Sequence, residues 1–298
     1  MNVSIIIVNY NTRQLLANCL DSIKEKTIGV EYEVIVVDND SQDDSVSLIK
    51  DNYPWVKLIE AGGNLGFGRA NNLGFNAACG KYIFLLNSDT ILLNNAVLMF
   101  FEFMELHNSD NSIGAIGGVL LDVDNKPTMS FGDFPSINSE WNYIKNKIKD
   151  KLLNKNTSSS QLLNESVFDV DYIIGADLFI PKFVIEKIGL FDADFFMYYE
   201  ETDLQKRMDL NGYKRMIIPH TKIIHLEGGS ITSSFKFSYK RFALSQTSLH
   251  IYIKKHFKGI NYLSFRVFMM FIRLTILFES RFTTKEKLKS LKLIFFTN

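Results

Sequence analysis

The chain has 298 residues, 46% of them hydrophobic, and a formal net charge of zero. That composition suffices for a full core and points to one large domain, or one domain with an appendage. Its two cysteines, Cys19 and Cys79, sit in helical patterns without metal-ligand spacing, which excludes a cysteine metal centre and suggests a reduced, cytosolic compartment. The zero average hides an asymmetry. From Lys236 onward there are 13 Lys/Arg against two acids, Glu279 and Glu286, leaving 20 basic and 31 acidic side chains before it. An acidic body with a basic tail implies two jobs, and a basic tail seeks an anionic surface.

The N-terminus enters a strand within two residues, with no basic n-region or small-residue cleavage site, so no signal peptide is expected. Val3–Asn9 is a continuous β-branched run that predicts a strand buried on both faces. Leu15, Leu16, Cys19, Leu20 and Ile23 then follow at helical spacing, with Asn11 or Thr12 as the cap. YEVIVVDND predicts a second buried strand, and Ser41 with Asp44 resembles a capping box opening the next helix. A short strand near Val56–Ile59, a glycine-rich turn, a helix to about Cys79 and a strand from Tyr82 come next. Strands alternating with helices predict an α/β fold, a mostly parallel sheet with helices on both faces. Lys145–Glu165 is polar and Ser/Asn-rich, and reads as a surface insertion or mobile loop.

In open α/β sheets, ligands bind at the carboxyl ends of the strands. Asn9-Tyr10-Asn11, Asp38-Asn39-Asp40 and Asn87-Ser88-Asp89 all fall at such ends. A dinucleotide site would need G-x-G-x-x-G after the first strand, and NYNTRQ has no glycine, so hydride transfer is excluded. A carboxylate such as Asp89 at a strand tip can hold a divalent cation that neutralises a diphosphate; its bland alternative is a cap for the helix after Asn94.

VSIIIVNYNTRQLLANCLDSI, VIVVDNDSQDDSV, GGNLGFGRANNLGFNAACGKYIFLLNSDT and FFMYYEETDLQKRMDLNGYK together resemble the family 2 inverting glycosyltransferases of GT-A fold, in particular rhamnosyltransferase-like members that build bacterial surface polysaccharides. The likeness covers roughly residues 1–258. It implies a nucleotide-sugar half (1–120) and an acceptor and catalytic half (165–235) within a catalytic domain of residues 1–235, followed by a helical tail, 236–298. Asp38 would accept from the pyrimidine base, with Asn9 and Asn11 nearby. The turn at Gly66–Asn72 would shape the nucleotide pocket, with Asn71 standing where many relatives carry arginine and Ser88 alongside. Asn87-Ser88-Asp89 would be the Asp-x-Asp motif with its first acid replaced, leaving Asp89 as the carboxylate ligand. His225 would complete the metal site, an oxygen-plus-imidazole set suited to Mn²⁺ or Mg²⁺. Glu201, where relatives usually carry aspartate, would be the base that inversion requires. Asp177 and Glu200 would meet the acceptor. Glu201 and Asp203 lie two apart on a helix and need different roles.

Leu263–Phe278 is short of a membrane span and carries Arg266 and Arg273 on one helical face, which predicts a helix lying in the interface of an anionic membrane. Packing on the catalytic domain, or across a dimer in an oligomer, is the alternative. The expected function is transfer of a sugar, such as rhamnose from dTDP-rhamnose, to a lipid-linked glycan at the cytoplasmic face of the plasma membrane, with no nucleic-acid partner. Two rivals are a sugar nucleotidylyltransferase, which would want a glycine-rich loop after strand one, and a non-catalytic glycan-binding protein of the same fold.

Overall fold

Two β-branched runs set the frame: β1 (Val3–Asn9) and β2 (Tyr32–Asp38) pair in parallel with Asn9 opposite Asp38. The computed structural model describes residues 1–142, 144–145, 166–226, 239–278 and 282–296, so the expected insertion lies, from residue 146 on, outside the described residues. Beyond β2 come β3 (Lys57–Glu60), β4 (Tyr82–Leu86), β5 (Thr90–Leu92), β6 (Ile113–Leu121), β7 (Phe131–Gly132), β8 (Phe168–Asp169), β9 (Tyr172–Ile173), β10 (Asp177–Pro181) and β11 (Lys214–His225). One nine-stranded sheet runs β3-β2-β1-β4-β10-β6-β11-β5, with β8 on β11, while β7 and β9 form a small second sheet.

The sheet is mixed rather than mostly parallel. β3, β2, β1 and β4 are parallel neighbours, as is the β6–β11 pair, but β10 enters antiparallel between β4 and β6, and β5 and β8 run antiparallel to β11. Helices cover both faces, as expected. On one face, α1 (Arg13–Lys26), α2 (Ser45–Asn52) and α4 (Ala96–His107) set Leu16, Leu20, Ile49 and Phe100 against Ile5, Val34 and Val36. On the other, α3 (Phe67–Ala77), α5 (Lys182–Ile188) and α6 (Glu200–Leu210) set Ala70, Val184, Leu204 and Met208 against Ile6, Ile35 and Val37.

The expected capping box does not form. Asp44 precedes α2 in the left-handed region without a side-chain cap, and Ser41 is instead drawn to β1, where it accepts from Asn9 and from the Asn11 amide. Thr12 is the N-cap residue of α1, and Asn95 caps α4 by accepting from the Leu98 amide, which relieves Asp89 of any capping duty.

Three helices end the chain: α7 (Tyr239–His256), α8 (Gly259–Arg273), which continues through a 3-10 turn at Leu274–Phe278, and α9 (Thr284–Phe296). Leu249 and Ile253 of α7 bury against Phe265 and Met269 of α8, with Tyr199 packed alongside. Arg266 and Arg273 do share a face of α8, but they turn inward, lining a small hollow with Leu249, Ile253 and Met269, and Arg266 donates to the Tyr262 hydroxyl. The charged face expected toward the interface is therefore an inner face. Gly259–Leu277 is 19 residues long and, by length and composition alone, apolar enough to cross a membrane.

Candidate active site

The strand order sets the tips of β2, β1 and β4 side by side, and the polar residues that end them are knitted together. The Asn9 amide donates to Asp38 Oδ1 (2.9 Å) and to Ser41 Oγ (2.9 Å), while the Ser41 amide donates to Asp38 Oδ2 (2.9 Å). Thr12 Oγ1 donates to Asn9 Oδ1 (2.6 Å) and lies 2.9 Å from Ser88 Oγ, tying β1 to the segment after β4. Asn11, in the left-handed region at φ 55°, accepts from the Gln42 amide (2.6 Å). Each Asp38 oxygen has one bond and a second lone pair to offer, so the carboxylate is oriented and still able to accept from a base.

The glycine-rich turn closes the crevice from the side. Gly66 has φ +82°, and a Cβ there would stand 2.1 Å from the Phe196 carbonyl oxygen, which also accepts from the Phe67 amide. Asn71 is buried in α3 and spends its amide on the Phe67 carbonyl one turn back (3.0 Å), so it packs the helix rather than reaching a base.

Asp89 and His225 come together across 136 residues because β5 and β11 pair, setting Thr90 opposite His225. Asp89 Oδ1 lies 3.3 Å from His225 Nε2, the Asn87 amide is 3.3 Å from the same nitrogen, and Leu226 N–H donates to the Asp89 carbonyl (2.9 Å). His225 Nδ1 is buried with no hydrogen-bond partner among the described residues. A carboxylate and an imidazole directed at each other suit a divalent cation of the Mn²⁺ or Mg²⁺ kind. No third His, Cys, Asp or Glu joins them among the described residues, so further positions would fall to diphosphate oxygens and water.

Glu201 approaches from the second half of the chain. The Asn87 backbone N–H donates to the Ala176 carbonyl (3.0 Å), and a Cβ on neighbouring Gly175 would lie 3.7 Å from Glu201 Cβ, which sets the start of α6 one layer from the Asp89 tip. Tyr198 and Tyr199, just before α6, both have positive φ (71° and 65°), a strained turn of the kind that accumulates at functional sites. The Oε2 atoms of both Glu200 and Glu201 are sealed from solvent without partners among the described residues. Burial pushes both carboxyls up; Glu200 rises well above the usual range because the Glu201 charge adds to its burial. The two carboxyls are neighbours, so whichever ionises first holds the proton on the other.

Asp203 has the different role that its spacing required. Burial favours its proton, but His256 (2.8 Å), Arg207 (3.0 Å) and Lys255 (2.9 Å) outweigh that and hold the carboxyl below its usual range. The same contacts clamp α7 to α6. Two expected acceptor contacts fail. Asp177 is wholly buried between β4 and β6, accepting from the Gly118 amide (2.6 Å), and Glu200 is buried against Gly68 of α3, so neither side chain is open to an acceptor. The sequence marks Thr12 and Ser41 only as caps and does not single out the Tyr198–Tyr199 turn; a hydroxyl just after each strand tip was the available signal that the first two belong to the site. A hollow of about 500 Å³ lined by Phe168, Asp171, Asp209, Tyr213 and Arg215 lies at the other end of α6 and includes none of these groups.

The model of "Glycosyl transferase family 2" matches residues 4–169. The poly(ribitol-phosphate) beta-glucosyltransferase of Bacillus spizizenii is 35% identical over 124 residues, 40% of this chain and 20% of that protein, so the chain spans about a fifth of that relative's length. Rhamnosyltransferase WbbL of Escherichia coli K12 is 25% identical over 275 residues, covering 87% of this chain and 96% of that one. Among solved structures, the mannosyltransferase PcManGT from Pyrobaculum calidifontis, in complex with GDP-Man and Mn²⁺, superposes with a TM-score of 0.57 at 16% identity, covering 87% of this chain and 65% of that one, a likeness of fold. With the family model spanning more than half of its length on a GT-A sheet, the chain belongs to glycosyl transferase family 2.

Proposed function

We propose that the protein transfers a hexosyl group, with inversion, from a nucleotide diphosphate sugar to a lipid-linked glycan in surface polysaccharide synthesis, at the cytoplasmic face of the membrane. Rhamnose from dTDP-rhamnose is the donor favoured by the end-to-end likeness to a rhamnosyltransferase. Residues 1–235 would form the catalytic unit and the helices after them its membrane-facing part. What carries the reading is one juxtaposition: the Asp89–His225 pair is stitched through Asn87 and Ala176 to Gly175, against which lies Glu201, a half-buried residue whose Oε2 is enclosed without a partner among the described residues.

In this mechanism Asp38, held by Asn9 and Ser41, accepts from the base, and the Gly66 turn walls the pocket. Asp89 and His225 would hold the cation. A Mn²⁺ or Mg²⁺ ion bound there supplies positive charge that stabilises the departing diphosphate. Glu201 takes the proton of the acceptor hydroxyl as its oxygen bonds to the anomeric carbon and the bond to the phosphate oxygen breaks on the opposite face. Burial keeps Glu201 basic enough for that proton.

A thermal-shift screen of nucleotide sugars with and without Mn²⁺ identifies the donor, because ligands stabilise according to their binding. With that donor, Glu201→Gln should bind normally in calorimetry yet lose on the order of 100-fold or more in turnover. Asp89→Ala should lose the metal-dependent part of donor binding. Near-normal transfer by the first variant, or an unchanged isotherm for the second, would overturn the assignment.

A further inference from the structure

Helix α8 presents two unlike faces. Inward it buries Phe265 and Met269 and turns Arg266 and Arg273 toward α7. Outward it exposes Ile260 (72%), Leu263 (55%), Val267 (41%) and Phe271 (68%). Spacings of three and four put all four on one stripe, and none of them is charged. Single exposed apolar residues need no explanation, but an aligned stripe does. Where the stripe ends, Lys287 Nζ donates to the Leu277 carbonyl (2.9 Å), so α9 starts beside it. Lys285, Leu288, Lys289 and Lys292 share one exposed face of α9.

We propose that this face docks on an anionic lipid surface, with α8 lying in the plane of the interface, its stripe in the acyl boundary and the α9 lysines against the headgroup phosphates. An apolar stripe beside a basic face complements an anionic interface. A second copy of the chain would instead bring two lysine faces together. The packing of α8 against α7 keeps its inner face in protein, which leaves the helix lying on the body instead of crossing a bilayer. Docking in this way also orients the catalytic helix. Trp141 packs edge-on against Phe268, and Tyr199 lies in the fields of Glu140, Arg273 and Glu201 while packing on Tyr252. The lipid-facing helix therefore flanks the strained turn that leads into Glu201. That consequence rests on the reading of a lipid-linked acceptor; the docking does not.

The test is flotation of the full chain with vesicles of phosphatidylcholine, with and without one-third phosphatidylglycerol, in the absence of donor. The chain should float with the anionic vesicles, detach in 1 M salt and stay behind with the neutral ones. Phe271→Glu should abolish flotation, and replacing Lys285, Lys289 and Lys292 by Gln should weaken partitioning roughly 100-fold, about fivefold per lysine. Melting temperatures of these surface variants should match the parent. Equal binding to both vesicle types, retention in 1 M salt, or a dimer in light scattering that Phe271→Glu dissolves would overturn the proposal. Because no donor is present, a failure here leaves the transfer reading standing, and active Glu201→Gln would leave the docking standing.

Discussion

Two neighbouring carboxyls open α6, and they cannot ionise independently. Burial raises both, and once Glu201 is charged its field holds the proton on Glu200. A base works only when deprotonated, so kcat/KM should rise with pH along a single limb centred above the ordinary glutamate range. With Glu201 as the member that ionises, Glu200→Gln should leave that limb in place, because one neutral side chain then replaces another. A pH–rate profile of the variant checks this, and a limb displaced by a full pH unit would mean that the two residues share one proton. Much of the residue scale was legible in the sequence: Asn9, Asp38 and Asp89 end buried runs, and Glu201 and Asp203 cannot share a face. Asp177 was not, because its burial is decided by two strands, β4 and β6, that meet it from distant parts of the chain.

At the scale of elements, β1, β2 and β4 announce themselves by unbroken apolar runs, whereas β6 does not. It is buried along all nine residues yet carries Gly114, Gly117 and Gly118, which weaken any strand signal. All three glycines have tertiary causes: a Cβ at 114 would stand 2.6 Å from Tyr213 Cβ, one at 117 would stand 2.6 Å from the Ile173 side chain, and one at 118 would stand 2.1 Å from Thr221 Oγ1. The antiparallel entry of β10 is likewise invisible to local pattern, since strand direction is set by what the chain does on either side. The inward turn of Arg266 and Arg273 is the same lesson for a helix: periodicity shows that residues share a face, and packing decides where it points. Gly66 is the element-level position where backbone and site meet. With φ +82° and the Phe196 oxygen in the way, Gly66→Ala should cost about 1–3 kcal/mol and displace the Asn64–Phe67 turn. The expected result is a raised KM for donor with little change in the acceptor KM, measured by steady-state kinetics; an unchanged donor KM would show that the turn does not touch the nucleotide.

Taken as a whole, the molecule carries buried and half-buried carboxyls of two opposite kinds, and their balance sets how stability depends on pH. Asp177, Glu200 and Glu201 are raised by burial, so the folded state binds their protons more tightly than the unfolded chain; the stability they confer is full below the ordinary carboxylate range and is lost as pH rises through their folded values. Asp203, Asp192 and Asp209 are lowered by their cationic partners, so their contribution is present above the ordinary range and is lost as pH falls through their folded values. Stability should therefore fall on both sides of an optimum, with the alkaline decline driven by the first group. Asp177→Asn isolates one member, since an amide oxygen can still accept from Gly118 but has no proton to lose. Urea denaturation at a series of pH values should show the variant declining less steeply than the parent above the carboxylate range, by about 1.4 kcal/mol per pH unit within the window where Asp177 titrates. It should also be the more stable protein at pH 8, and parallel curves would mean that Asp177 enters the folded state already charged.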